Sequence, residues 1–264
     1  MSYRKIFSVI NEHTASTVTA RYPISLAAAG KAELVLYAAH AAGSAETILR
    51  HTDRHLDHLF TIALELGIPV TRITEVGTVS TLLPRRVQAE KADLVFYSLS
   101  PYERYGADLQ RHAVHRLLRT IRPDLAIMRI VNMGKPHPRH ILMPLGNMAS
   151  DGDHRFMFIS ELARSFHSHV TLFHLTPGRN AQYMPDDITR FRKQLQKQDI
   201  TVLERSGTGP IGKSIAVEAI TRHNDLIVLG ASERGILRRM FFGNPAGDVM
   251  HQPPCNAMLF RAAL

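Results

Sequence analysis

One cysteine, Cys255, stands in a chain of 264 residues, so no internal disulfide can staple the fold. No run of 18 or more apolar residues occurs, which excludes a helix that spans a membrane. The opening Met1-Ser2-Tyr3-Arg4-Lys5-Ile6-Phe7 passes almost at once into a strand-like run. It carries neither the apolar stretch nor the cleavage site of a secretory signal, and the expected compartment is the cytoplasm. Acidic residues are in the minority, 23 against 32 Lys and Arg, for a net charge of +9. Such an excess invites a nucleic-acid reading. The basic residues are scattered, however, with the densest clusters at Arg85-Arg86 and Arg238-Arg239. There is no basic stripe interleaved with aromatics, and no helix-turn-helix or zinc-finger spacing. The expectation is a solvated basic surface that attracts anions generally, without a specific nucleic-acid site. No His-x-Glu-x-x-His arrangement exists among the 15 histidines. His112, His115, His167 and His169 therefore read as surface residues rather than metal ligands. A Gly-x-Ser-x-Gly nucleophile turn is absent too.

What the chain does have is a repeat, the first thing to seek in a sequence of this length. With 45% hydrophobic residues it can fill one large core or two smaller ones. Lys5 to Ile10 is a short apolar strand candidate, and Ile141 to Leu145 is another, about 135 residues later. Glu33 to Tyr37 is matched by His169 to Phe173, and Val70 to Ile73 before Gly77 by Ile200 to Leu203 before Gly209. Asp93 to Tyr97 pairs with Asp225 to Leu229, and Pro123 to Arg129 with Pro254 to Arg261. Five strand candidates thus recur in one order at nearly constant spacing.

Between them lie stretches of helical period: Ala45 to Leu66, Phe156 to Phe166 and Ile211 to Ile220. Short apolar strands alternating with helices imply right-handed βαβ units and a parallel sheet buried on both faces. The fold class expected is α/β, as two tandem Rossmann-like units, each a five-stranded parallel sheet with helices on both faces. The expected boundaries are a first unit at 1–130, a linker at 131–140 with two prolines and a glycine, and a second unit at 141–264.

Ligands of open parallel sheets gather at the carboxyl ends of the strands, near the reversal of strand order. The richest sequence there follows the fourth strand of the second unit: Gly230-Ala231-Ser232-Glu233-Arg234-Gly235, then Arg238-Arg239 and Gly243-Asn244-Pro245. Gly230 lets the chain turn sharply and lets backbone N–H groups approach a phosphate. Gly243 and Asn244 fall where the next helix should begin, and a helix N-terminus offers free donors to an anion. The plainer reading is a strand-end turn and a helix cap. Gly207-x4-Gly212-Lys213-Ser214 formally fits a Walker loop. Pro210 removes a donor from that cradle, and the stretch does not follow the first strand of its unit, so Lys213 and Ser214 are expected simply to start a helix. Cys255, entering a buried strand, is expected to be a core thiol.

Leu229-Gly230 through Gly243-Asn244 and on to Pro253-Pro254-Cys255-Asn256-Ala257-Met258-Leu259 resembles the C-terminal signature of universal stress proteins. The five-strand pattern of both halves resembles that family as well, in tandem form. The family's nucleotide motif is Gly-x2-Gly-x9-Gly-Ser/Thr. Gly230 and Gly243 fall on its first and last glycines, while Glu233 replaces the second glycine and Asn244 the Ser or Thr. The acidic residue that the family carries after its first strand is missing: Gly146-Asn147 stands there in the second unit and Asn11 in the first. The resemblance implies an adenine-nucleotide site, for ATP or AMP with Mg accompanying ATP, in the second unit only. Its residues would be Gly146, Leu175, Gly207, Gly209, Gly230, Ser232, Gly243 and Asn244. In the first unit, Ser98 to Gly106 lacks the loop glycines, and that site is expected to be degenerate. The resemblance further implies a stress-response or signalling role without strong catalysis, an intramolecular pseudo-dimer of the two units, and a homodimer. The alternatives are a ligand-poor adaptor or regulatory partner of a membrane transporter, and a slow ATPase.

Overall fold

The structure is a computed structural model that describes residues 2–99, 107–145, 152–175, 184–231 and 249–264. The chain divides into two compact units, Met1–Pro136 with Ala263–Leu264, and His137–Ala262. In the first unit the elements are β1 (Lys5–Val9), α1 (Thr14–Gly30), β2 (Glu33–His40), α2 (Glu46–Glu65), β3 (Val70–Val76), α3 (Val79–Ala89), β4 (Leu94–Ser98), α4 (Ala107–Thr120) and β5 (Asp124–Arg129). The second unit contains β6 (His140–Leu145), α5 (Gly152–Phe166), β7 (His169–Leu175), α6 (Asp186–Gln196), β8 (Val202–Gly207), α7 (Ile211–Thr221), β9 (Leu226–Gly230) and β10 (Asn256–Arg261).

Within the first unit the strands lie in the order β3-β2-β1-β4-β5, all parallel. The second unit repeats this as β8-β7-β6-β9-β10, again all parallel. Right-handed crossovers then decide the layers. Helices α1 and α2 lead outward from the central strand and pack together, while α3 and α4 return on the other face and pack together. The central strands are the apolar ones: Ile6, Phe7, Leu94, Val95 and Phe96 in one unit, and Ile141, Leu142, Leu226 and Ile227 in the other, are essentially inaccessible.

Burial on both faces does not extend to the outermost strands. β3 exposes Thr71, Arg72, Thr74 and Val76, and β8 exposes Leu203. An outermost strand has a neighbour on one side only, so helices cover it incompletely, and charge serves there instead. Arg72 is held between Asp53 and Asp57 of α2.

The repeat reaches down to single hydrogen bonds. Asp93, just before β4, accepts the backbone N–H groups of Arg4 at 2.7 Å and Lys5 at 3.1 Å. Asp225, just before β9, accepts those of Arg139 at 3.0 Å and His140 at 3.1 Å. In each unit the same aspartate also donates its own N–H to the first strand, to Lys5 or His140, at 2.9 Å. One side chain thereby sets the register of the two central strands, β1 with β4 and β6 with β9.

Candidate functional site

Strand order reverses between β6 and β9, so their helical connections leave in opposite directions and a crevice opens at their carboxyl ends. Leu145 ends β6 and Gly230 ends β9. On the far side of β6, His174 of β7 is buried and donates its Nδ1–H to the Leu145 carbonyl at 3.1 Å. That bond ties the end of β6 to β7 just before Gly146.

Of the residues assigned to a ligand from sequence, Leu175, Gly207, Gly209 and Gly230 are described, and all four lie at the carboxyl ends of β7, β8 and β9 or in the turn after β8. Gly146, Ser232, Gly243 and Asn244 lie outside the described residues, as do Asn147, Glu233, Arg238 and Arg239. Leu175 is half-buried and pairs in register with Gly207. A Cβ on Gly207 would stand 2.8 Å from Cζ of Phe173 and 3.5 Å from Cδ2 of Leu175, so the glycine makes room for an aromatic ring of β7. Gly209 sits at φ +109°, backbone that L side chains rarely adopt, and its counterpart Gly77 in the first unit is at +145°.

At Gly230 a Cβ would meet the Arg155 guanidinium, 2.7 Å from Cζ and Nη2 and 3.0 Å from Nε. The glycine read from sequence as room for a phosphate is thus also room for an arginine. Arg155, on the first turn of α5, was not part of the sequence reading; no motif spans from one helix to a glycine some 75 residues later.

The Walker-like stretch forms a strand, a tight turn and a helix, but its parts are already engaged. Pro210 precedes the helix, Gly212 is buried in its first turn, and Ser214 donates its backbone N–H to the Pro210 carbonyl at 2.9 Å and its hydroxyl to the Thr208 carbonyl at 3.2 Å. Among the described residues no group of three or more His, Cys, Asp or Glu side chains is arranged to hold a metal ion.

The first unit fills the corresponding ground differently. Register places Tyr37 where the second unit has Phe173, and Glu75 where it has Gly207. Glu75 accepts the Tyr37 hydroxyl at 2.8 Å and is bonded to Arg86 of α3. Arg86 holds the Glu75 carboxyl below the usual carboxylate range, and burial pushes the Tyr37 hydroxyl up. In the second unit the helix position of Arg86 is Glu218, which pairs with Arg205 of β8. The strand–helix ion pair is kept with its charges reversed, and the second unit keeps its glycine clear. Tyr37→Phe is expected to destabilise the first unit by roughly 1–2 kcal/mol in urea unfolding followed by circular dichroism, since a hydrogen bond to a charged group is lost. Because the Glu75 pKa is depressed on folding, its contribution is full above the ordinary carboxylate range and lost as pH falls below it. The penalty of Tyr37→Phe should therefore shrink in acid.

The fold and the crevice define a class: doubly wound α/β proteins in tandem, with a ligand position at a strand-order reversal. Residues 138–261 match the family model described as "Universal stress protein family". The matched residues are those of the second unit, and the first unit repeats the same strand order. A universal stress protein from Archaeoglobus fulgidus DSM 4304 is similar in structure, with a TM-score of 0.71 at 11% identity over 98% of this chain and 96% of that one. So is a putative universal stress protein from Pseudomonas aeruginosa UCBPP-PA14, at TM-score 0.62 and 15% identity over 98% and 93%. The cytoplasmic domain of a prokaryotic cation chloride cotransporter is also similar, at TM-score 0.62 and 10% identity over 99% and 96%. No curated protein matches the chain in sequence. No helix among the described residues is long and apolar enough to cross a membrane.

Proposed function

We propose that the second unit binds an adenine nucleotide, ATP or AMP, and that the chain is a cytoplasmic stress-response or signalling protein without strong catalysis. The observation that carries this reading is the reversal of strand order between β6 and β9 within a segment that matches the universal stress family, with Gly230 at its edge. In this reading the base lies near Gly146 and Leu175, beside the turn at Gly207 and Gly209. The phosphates lie near Gly230, Ser232, Gly243 and Asn244, with Mg accompanying ATP. The first unit, whose equivalent of Gly207 is Glu75 bonded to Tyr37 and Arg86, takes no nucleotide. The sequence boundaries, 1–130 and 141–264 around a linker at 131–140, are retained, with the two units paired about a pseudo-twofold axis and with homodimers of the whole chain. Scattering from two independently tumbling units would refute that pairing.

Native mass spectrometry of freshly purified protein tests the central claim: an adenine nucleotide should co-purify. Calorimetric titration should then show Asn244→Ala weakening ATP binding about tenfold, the loss of one hydrogen bond to a charged group. Glu233→Gly should strengthen it, because it restores the family glycine and removes a carboxylate beside the phosphates. If neither wild type nor Glu233→Gly binds at millimolar ATP, the loop is a structural relic. The reading would then pass to a ligand-poor adaptor or partner of a membrane transporter, for which the same architecture in a cotransporter's cytoplasmic domain is the precedent. Turnover of ATP with Mg above background would favour a slow ATPase instead.

A further inference from the structure

We infer that Arg155 grips the anionic end of the second unit's ligand, and that Gly230 is glycine in order to admit the Arg155 guanidinium. The inference rests on the nucleotide reading and adds to it a recognition residue outside the glycine loop, together with a ligand class: an adenine compound bearing a phosphate group.

The geometry is specific. A Cβ at Gly230 would be as close to Cζ of the guanidinium as to Nη2, 2.7 Å in both cases, with Nε at 3.0 Å. An approach along the edge of the group would leave Cζ farther away than the nitrogens. The guanidinium therefore lies with its face against Gly230, and its N–H donors spread in the plane, away from that contact. The group is half-buried, where charge acts more strongly than in open water. It sits on the first turn of α5, whose leading N–H groups have no partner within the helix. A planar fork of donors beside a helix N-terminus suits a phosphate oxygen pair.

Comparison of the two units supports a coupled pair. The junctions α1–β2 and α5–β7 correspond: Lys31 and His167 are at φ 54° and 51°, and the residues after them, Ala32 and Ser168, donate their backbone N–H groups to the Ala27 and Ala163 carbonyls. Counting back from them, Arg155 falls on Thr19. Strands β4 and β9 correspond through their shared register, and Gly230 falls on Ser98. The second unit thus sets a large cation against a glycine. The first combines two small hydroxyls, both buried and without a hydrogen-bond partner among the described residues. The cation is present only in the unit expected to bind.

The test uses the full chain. Adenosine, AMP, ATP and pyrophosphate are titrated calorimetrically into the wild type and into Arg155→Gln, Arg155→Lys and Gly230→Ala, with circular dichroism to confirm folding. Arg155→Gln should weaken AMP and pyrophosphate about tenfold or more and leave adenosine unchanged. Arg155→Lys should recover part of the loss, because a lysine keeps charge without the planar fork. Gly230→Ala should resemble Arg155→Gln by pushing the guanidinium aside, and it carries the test if Arg155→Gln fails to fold. If the wild type prefers AMP to adenosine and every folded variant keeps the same preference, the role of Arg155 is refuted while the nucleotide reading stands. Tighter AMP binding by Arg155→Gln would also overturn it, since the guanidinium would then be a plug. A wild type that binds none of the four at millimolar concentration overturns both.

Discussion

Phe158→Ala is expected to destabilise the second unit by about 3–5 kcal/mol, the usual cost of truncating a buried phenylalanine. The ring is fully buried on α5 and stacks on Phe260 of β10, with centroids 4.1 Å apart and planes 14° from parallel. Phe260 is itself 1% exposed, so no flexible surface group can collapse into the gap. The cavity persists, and the lost stacking adds to the lost transfer free energy. The consequence reaches the site, because Arg155 lies one turn before Phe158 on the same helix. A loosened α5 should hold the guanidinium less firmly over Gly230. Hydrogen exchange should rise in peptides covering α5 and β10 while those of β1 and β4 keep their protection. A uniform rise across both units, or a loss under about 1 kcal/mol, would show that the stack does not anchor the helix.

Asp225→Ala is the second large effect, roughly 3 kcal/mol. Its carboxylate is 7% exposed and accepts two backbone N–H groups with one oxygen. Removing it takes the acceptor from two part-buried hydrogen bonds at the start of β6, and a donor left without a partner away from water costs about 1–3 kcal/mol. Asp225→Asn should recover much of the loss, since an amide oxygen can stand in the same place without the charge. The equivalent Asp93→Ala should cost less, because Asp93 is more exposed than the buried Asp225 and water can more readily replace the lost acceptor. Urea titrations of the three variants check this order. Equal losses for Asp225→Ala and Asp225→Asn would mean that charge rather than hydrogen bonding carries the contribution.

Both predictions concern features that the sequence marked only in part. Asp93 and Asp225 were visible as members of a repeat, but as strand openers rather than as side chains that bind the neighbouring strand. The helices reveal the same limit. Amphipathic α2 and α7 show their period in the sequence and lie within a residue or two of where that period puts them. Helix α1 does not. Ten of its 17 residues are buried, Pro23 among them, so no polar face alternates with an apolar one to announce it. The expectation that every strand is covered on both faces failed at β3 and β8, because an apolar run cannot tell whether it will lie at the centre of a sheet or at its margin.

For the candidate site, composition and spacing alone marked the glycines, because a residue without a Cβ leaves a trace in any one-dimensional reading. Gly209 needs its unusual φ, Gly207 its clearance from Phe173, and Gly230 its place at the end of β9. The repeat and the alternation of short apolar strands with helical stretches were likewise local properties, set by periodicity and by the β-branched and apolar content of each run. What only the tertiary structure decided is which side chains face those glycines. Arg155 reaches Gly230, and Tyr37 and Arg86 reach Glu75, across separations over which no sequence pattern is constrained. Packing geometry, which brings distant segments within a few ångströms, set the Arg155 guanidinium against Gly230 in one unit and tied Glu75 to Tyr37 and Arg86 in the other.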